Sequence, residues 1–112
     1  MRYEMFTVER DGDGTAIVWI DRPEKLDAMG PTFFTELPAV LADPDADRAV
    51  EVCVLTGRGK AFSAGGDIGS FDALNTIESY RRHLRLVYDG FHAVERCELP
   101  VIAAVNGIAS TP

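Results

Sequence analysis

The sequence predicts an α/β domain whose later strands run parallel. Short apolar runs alternate with longer segments of helical periodicity, in the order strand, strand, helix, strand, helix, strand. Strands that are separated by a helix usually return to the same sheet side by side, which gives a parallel arrangement. At 112 residues, the chain has the length of one small domain or of part of a larger one.

The first two strands are predicted to form an antiparallel hairpin. Residues 3–9 alternate between apolar and polar side chains, and residues 15–20 form a continuous apolar run that is typical of a strand covered on both faces. The segment between them, Asp11 to Gly14, consists of residues that tolerate a positive φ. A tight turn is therefore expected there.

A first helix is expected to begin at Pro31, since proline suits the first turn of a helix. Its apolar positions recur at helical spacing, at Phe33, Phe34, Leu37, Val40 and Leu41. Pro38 interrupts this pattern and is a potential kink. The polar residues 43–47 are expected to close the helix in a loop.

The second half is predicted to contain a buried strand, a long helix and a further strand. Residues 50–55 form the first strand, and residues 101–105 form the second, after a break at Leu99 and Pro100. The apolar stripe of the helix between them is expected to belong to the core; it comprises Leu74, Ile77, Tyr80, Leu84, Val87, Tyr88, Phe91 and Val94. Asn106 and Gly107 indicate a turn.

Composition excludes several classes of function. The net charge of −7, from 18 acidic and 11 basic residues, argues against non-specific binding of nucleic acid. We expect no membrane contact, since no apolar stretch approaches the length of a span and residues 1–10 carry no signal-like core. Cys53 and Cys97 lack metal-ligand spacing and are expected to be buried free thiols, so we expect no metal and a cytoplasmic location.

The most informative segment is the glycine loop at residues 57–68. It follows a predicted buried strand and precedes a helix, so main-chain N–H groups there can hold negative charge on a carbonyl oxygen. A Walker phosphate loop is absent, because Gly57 lies only one residue before Gly59-Lys60 and Ala61 follows. A dinucleotide fingerprint also fails for want of the third glycine. On spacing alone, a plain structural turn remains an equal alternative.

The complete run of residues 60–68 closely resembles the crotonase, or enoyl-CoA hydratase/isomerase, superfamily. Three further segments resemble the family in the same order: residues 22–29 its first coenzyme A loop, 50–57 the strand before the glycine loop, and 100–109 the strand leading to the second half of the active site. The resemblance covers essentially the whole chain as far as Ala109. It implies a crotonase-like ββα superhelix, here truncated to the N-terminal part of the domain over residues 1–112.

The resemblance also implies a chemistry. An acyl-CoA thioester becomes enolate-like during reaction, and two main-chain N–H groups bind its negatively charged oxygen. By position, the first of these donors is the N–H of Gly66, while Gly65 and Gly66 let the main chain approach the thioester closely. No metal or redox cofactor is implied, because coenzyme A enters as part of the substrate.

Further residues are implied to contact the acyl-CoA. Lys25, Leu26 and Ala28 would line its nucleotide end, although Lys25 is almost equally well explained as a solvated loop charge. The other implied contacts are Ala64, Gly65, Asp67 and Ile68. For Asp67 a structural role, capping the following helix, is the stronger alternative. Asp27 departs from the asparagine common in the family and is expected to add a charge near the path of an anionic ligand.

The end of the sequence departs from the family. Thr111 and Pro112 stand where glycines of the second donor loop are expected, and proline has no N–H to donate. The glutamates that activate water in family hydratases would follow. We therefore expect the N-terminal half of an enzyme whose full-length relatives form homotrimers or hexamers. We also expect it to show poor solubility and no measurable hydration of crotonyl-CoA.

Two hypotheses of function follow. The first is an acyl-CoA lyase or isomerase, active in a fuller form, with hydrolase and dehalogenase chemistry equally compatible with this half. The second is a non-catalytic remnant that binds coenzyme A or a protein partner.

Overall fold

The computed structural model describes residues 3–66 and 75–109. Its strands are β1 (Phe6–Arg10), β2 (Thr15–Ile20), β3 (Val52–Gly57), β4 (Ala61–Ser63), β5 (Val101–Ala104) and β6 (Ile108–Ala109). The helices are α1 (Pro31–Asp45) and α2 (Ile77–Arg96), and a single 3-10 turn covers Pro23–Lys25.

Four strands form one sheet in the order β1-β2-β3-β5. The hairpin prediction is confirmed, since β1 pairs antiparallel with β2, with Val8 opposite Val18. The parallel prediction is also confirmed, since β2 pairs with β3 and β3 with β5 in parallel. The short strands β4 and β6 form a separate parallel pair. The sequence did not predict this pair, because both strands are too short to show an apolar pattern.

The core lies between one face of the sheet and α1. Every apolar position predicted for α1 is buried. The Phe33 ring lies 5.0 Å from that of Phe6 and 5.1 Å from that of Phe34, between centroids. Pro38 does not end the helix, which continues to Asp45. The helix therefore runs into the segment 43–47 that was expected to be loop, and Pro44 is fully buried within its last turn.

The helix α2 begins at a capping box. The Thr76 hydroxyl accepts the Ser79 N–H at 3.0 Å, and the Ser79 hydroxyl accepts the Thr76 N–H at 3.2 Å. One face of α2 packs on α1, where the buried Gly90 lies against Phe34. A small residue is needed here, because a Cβ atom at position 90 would lie 3.0 Å from Cδ1 of the Phe34 ring.

The prediction that the whole apolar stripe of α2 is core is wrong. Val87 and Val94 pack against the core, but Ile77, Tyr80 and Tyr88 are 77%, 52% and 64% exposed. Leu84 and Phe91 are also exposed, and Leu74 lies outside the described residues. The contact with α1 therefore covers only part of the apolar stripe of this helix and leaves the rest exposed. Among the described residues, no helix is long and apolar enough to cross a membrane.

Candidate active site

Two loops meet at the end of the sheet where the predicted site residues lie. We call them the 26–29 loop, after the 3-10 turn, and the 63–66 loop, after β4. The Ala64 N–H donates to the Leu26 carbonyl at 2.9 Å, and the Met29 N–H donates to the Gly65 carbonyl at 2.6 Å. Met29 and Gly66 form an isolated parallel bridge. The structure thus brings together the two segments that the sequence assigned separately to acyl-CoA binding.

The 26–29 loop has an unusual backbone. Leu26 and Asp27 both have a left-handed conformation, with φ of 52° and 55°, although neither is glycine. Such residues cost on the order of 1–3 kcal/mol each and persist only when their surroundings fix them. Here the Leu26 N–H donates to Pro23 and the Asp27 N–H donates to Arg22, at 3.1 and 2.9 Å. The loop is therefore held in shape by its own preceding turn.

The 63–66 loop presents the amide that the sequence singled out. Gly65 has φ of +98°, which only glycine adopts readily, and its N–H donates to the Ser63 hydroxyl at 3.1 Å. The bridge to Met29 uses the Gly65 carbonyl, so it leaves the Gly66 N–H unused. No acceptor within residues 3–66 and 75–109 takes the Gly66 N–H. Of the two adjacent glycine amides, the first has a partner within its own loop and the second has none in this part of the chain.

The side chain of Asn106 fixes the start of the glycine loop. Its Oδ1 accepts the Gly57 N–H at 3.1 Å, and its Nδ2 donates to the Gly59 and Ala61 carbonyls at 3.1 and 3.3 Å. The backbone segments around Gly57 and Ala61 lie so close together that a Cβ atom on Gly57 would clash with the Ala61 carbonyl. From the sequence alone, Asn106 and Gly107 indicate only a turn. The Asn106 amide, which can both donate and accept, was the signal that could have identified this role.

The residues predicted for the nucleotide end occupy two different settings. Lys25 and Ala28 line a cavity of about 180 Å³ at the start of α1. The N-terminus of α1 has no side-chain cap, which leaves it favourable to negative charge. Arg22 also lines this cavity, but it is paired with Glu24 at 2.6 Å, so part of its positive charge is compensated. Leu26 lies outside the cavity lining and is 40% exposed.

Asp27, which the sequence predicts to add a charge near the path of an anionic ligand, has a fully buried side chain. Its Oδ1 accepts the Arg22 N–H at 2.9 Å, while Oδ2 has no partner among the described residues. Burial raises the pKa of this carboxyl, and the negative charge of Asp21 adds to the effect. The Asp27 carboxyl therefore helps to fix the shape of the loop, and its effect on an approaching anion stays a prediction.

The remaining predicted residues divide into those described and those not. Ala64 and Gly65 lie where expected, in the loop that pairs with residues 26–29. Asp67 and Ile68 lie outside the described residues, so both their acyl-CoA contacts and the capping role of Asp67 stay predictions.

Cys53 is a buried free thiol as predicted, whereas Cys97 is free but only half-buried. In the described part of the chain, no group of three or more potential ligand residues could hold a metal ion.

Comparison with known proteins now adds to this geometry. The family model for enoyl-CoA hydratase/isomerase matches residues 10–111. The chain belongs to the enoyl-CoA hydratase/isomerase family. The superfamily assignment made from four short segments is thereby confirmed.

Individual members of the enoyl-CoA hydratase/isomerase family resemble this chain closely. A short-chain-enoyl-CoA hydratase of Clostridium acetobutylicum is 40% identical over 103 residues, which cover 91% of this chain and 39% of that protein. A peroxisomal Δ(3,5)-Δ(2,4)-dienoyl-CoA isomerase of Arabidopsis thaliana is 34% identical over 99 residues, covering 79% of this chain and 36% of that protein.

The likeness extends to the fold. The crystal structure of an enoyl-CoA hydratase/isomerase from Xanthobacter autotrophicus Py2 superposes with a TM-score of 0.86 at 30% identity, covering 95% of this chain and 40% of that one. The crotonase-like fold is thus confirmed for its N-terminal part. The chain spans about two fifths of the length of these relatives.

Proposed function

We propose that this chain carries the thioester-binding part of an enoyl-CoA hydratase/isomerase, which acts on an acyl-CoA through an oxyanion-stabilised enolate. The observation that carries the proposal is the pairing of the 26–29 and 63–66 loops, which leaves the Gly66 N–H without an acceptor among the described residues. In this proposal the Gly66 N–H donates to the thioester oxygen. Loss of one such donor in comparable enzymes costs about 2.7–4 kcal/mol of transition-state stabilisation.

The relatives support the proposal that this region serves steps common to several reactions. A hydratase and an isomerase each match most of this chain, with 40% and 34% identity. Binding of the thioester and stabilisation of its enolate are steps that hydration and double-bond migration would share. We therefore assign those steps to this chain, and we leave the choice between the two reactions to other residues. Coenzyme A takes part only as a portion of the substrate.

The nucleotide end of coenzyme A is proposed to enter the cavity beside Lys25 and Ala28. The supporting features are the basic residues in its lining and the uncapped start of α1, both of which favour phosphate oxygens. The cavity of about 180 Å³ is small, so it would receive only part of that nucleotide. A cytoplasmic location for this chain, and homotrimers or hexamers for its full-length relatives, stay predictions from the sequence.

Titration of the ¹⁵N-labelled chain with acetoacetyl-CoA and with free coenzyme A tests the proposal. We expect the amide resonances of Lys25 and Ala28 to shift with both ligands and that of Gly66 to shift only with the thioester. Gly66→Val should weaken acetoacetyl-CoA binding at least tenfold, because its side chain occupies the approach to the amide. Ala49→Val serves as the control, since it adds bulk at an exposed position at the opposite end of β3. Equal Gly66 shifts with both ligands, or no binding, would refute the proposal.

The second candidate, a non-catalytic partner-binding remnant, is favoured by one observation. The apolar side chains of Ile77, Tyr80 and Tyr88 on α2 are each more than half exposed. Surfaces of this kind commonly mark protein interfaces. Sedimentation equilibrium distinguishes the candidates, since a stable monomer at all concentrations would argue against this one. Self-association that Tyr80→Glu abolishes would support it.

A further inference from the structure

The buried hydroxyl of Ser63 links the two loops of the candidate site. Ser63 is 1% exposed, and its Oγ donates to the Asp27 carbonyl at 2.8 Å. The same oxygen accepts the Gly65 N–H at 3.1 Å. The hydroxyl thus uses its donor and an acceptor position at once, and the two groups it joins belong to segments 36 residues apart.

The Asp27 carbonyl is available to Ser63 because of the left-handed backbone of the 26–29 loop. Leu26 and Asp27 hold positive φ values, and the Asp27 carboxyl fixes this turn by accepting the Arg22 N–H. The direction of the Asp27 carbonyl is therefore fixed by bonds within the 26–29 loop. The Ser63 hydroxyl, which is bonded to that carbonyl, in turn restrains the Gly65 N–H in the other loop.

The other end of this link lies one residue before the proposed oxyanion donor. The Gly65 N–H is held by Ser63, and the Gly65 carbonyl is held by the Met29 N–H. Both polar groups of Gly65 are therefore anchored, although the residue has a φ of +98° and no side chain to restrain it. Since the Gly65 carbonyl and the Gly66 N–H belong to one planar peptide unit, anchoring Gly65 also orients the Gly66 amide.

We propose that Ser63 is a positioning residue for the oxyanion donor, and that its hydroxyl orients the Gly66 N–H by tying Gly65 to the Asp27 carbonyl. This inference rests on the function proposed above for Gly66. Ser63 does not touch the substrate in this arrangement, because its hydroxyl is buried and fully engaged by the two loops.

Removal of the Ser63 hydroxyl should weaken the binding of an acyl-CoA thioester more than the binding of free coenzyme A. In Ser63→Ala, the Asp27 carbonyl and the Gly65 N–H lose their partner, while the main-chain bonds at Leu26 and Met29 remain. The Gly65–Gly66 peptide is then held only through its carbonyl by the Met29 N–H, so the direction of its own N–H is less restricted. An acyl-CoA, which uses the Gly66 amide, should bind more weakly, whereas free coenzyme A, which lacks the thioester oxygen, should bind as before.

The experiment measures amide hydrogen exchange and ligand affinity in the same set of variants. Ser63→Cys keeps a weak donor and acceptor of similar size and serves as the conservative variant. Thr56→Val is the matched control, because it removes a nearly buried hydroxyl that donates to a distant main-chain carbonyl, that of Ala104, at 2.7 Å.

We expect Ser63→Ala to raise the exchange rate of the Gly65 amide at least tenfold and to weaken acetoacetyl-CoA binding about tenfold. Its affinity for free coenzyme A should stay within twofold of wild type. Ser63→Cys should be intermediate in both measurements, and Thr56→Val should match wild type in the ratio of the two affinities. An unchanged Gly65 exchange rate would overturn the inference, as would parallel loss of both affinities, which marks a merely structural role.

The design also separates this inference from the proposed function. Failure of the wild-type chain to bind acetoacetyl-CoA would defeat the proposed function, and the inference with it. Normal thioester binding by wild type, together with an unchanged affinity ratio in Ser63→Ala, would defeat the inference alone. If Ser63→Ala does not fold, the ratio measured for Ser63→Cys decides, and a wild-type ratio overturns the inference.

Discussion

The buried carboxyl of Asp27 predicts a pH-dependent cost in stability that Asp27→Asn should remove. The substitution keeps the size of the side chain and an oxygen that can accept the Arg22 N–H at 2.9 Å. It replaces Oδ2, which has no partner in the described part of the chain, by an amide group that does not ionise. The mutation therefore tests the charge and leaves the loop hydrogen bond in place.

The sign follows from the direction of the pKa shift. Burial, supported by the charge of Asp21, raises the pKa of Asp27 in the folded chain above its ordinary value of 3.8. Well below pH 3.8, the carboxyl is protonated in both states and costs nothing extra. As the pH rises from there through the folded pKa, the unfolded chain releases its proton first, so wild type loses stability that the asparagine variant retains. Above the folded pKa the difference is constant.

The magnitude should be that of an incompletely paired buried group. Such a group costs about 1–3 kcal/mol, with charged groups at the upper end. We therefore expect the free energy of unfolding of Asp27→Asn, measured relative to wild type, to increase by about this amount between pH 4 and pH 8. The new amide group also lacks an acceptor, but that adds an offset that does not change with pH.

Urea denaturation followed by circular dichroism at several pH values measures the difference. Asp13→Asn is the control, because it makes the same substitution at an exposed position in the turn between β1 and β2. The decisive quantity is the slope of the difference against pH, because the offset contains the amide cost. If the difference in free energy of unfolding does not change with pH, or if wild type becomes the more stable relative to the variant as the pH rises, this account of Asp27 is refuted.

Three further outcomes are expected. Gly90→Val should lower the free energy of unfolding by about 1–3 kcal/mol in urea, because its side chain meets the Phe34 ring at 3.0 Å, and a wild-type midpoint would contradict this packing. Thr76→Ala should cost about 1 kcal/mol in the same assay through loss of the cap on α2, whereas an equal loss in Thr76→Ser would show that the cap is not the cause. Burial raises the pKa of Cys53 to about 11. At pH 8 a thiol reagent should therefore label the half-buried Cys97 first and Cys53 only on unfolding. Equal labelling rates for the two thiols would disprove this order.

The sequence predicted those parts of the fold that depend on local pattern. Alternation and an acidic turn identified the hairpin, and helical spacing from Phe33 to Leu41 identified α1 with its buried face. Parallel pairing of β2, β3 and β5 followed from the helices between them. The predicted strand boundaries were less accurate: β3 begins at Val52 rather than at residue 50. Pairing with the neighbouring strands decides where a strand starts, and the local pattern does not show it.

What the sequence could not supply depends on contacts between distant segments. The apolar stripe of α2 does not reveal how much of it α1 will cover, so Tyr80 and Tyr88 were wrongly assigned to the core. The buried state of Asp27 arises from packing of the loop, and nothing in its neighbours along the chain predicts that. The glycine loop itself was predicted from its residues, but the Ser63 contact that shapes it requires the fold.

The parallel arrangement of the central strands has a consequence for the order in which the chain folds. The hairpin of β1 and β2 closes over a short turn, with the Asp11 N–H donating to the Thr15 carbonyl at 3.1 Å. By contrast, the Thr56 hydroxyl meets the Ala104 carbonyl across 48 residues, and such distant pairings form slowly because the entropy of loop closure comes first. Newly synthesised chains would therefore spend time with the open edge of β3 unpaired, and low temperature and chaperones during expression should raise the yield of folded protein.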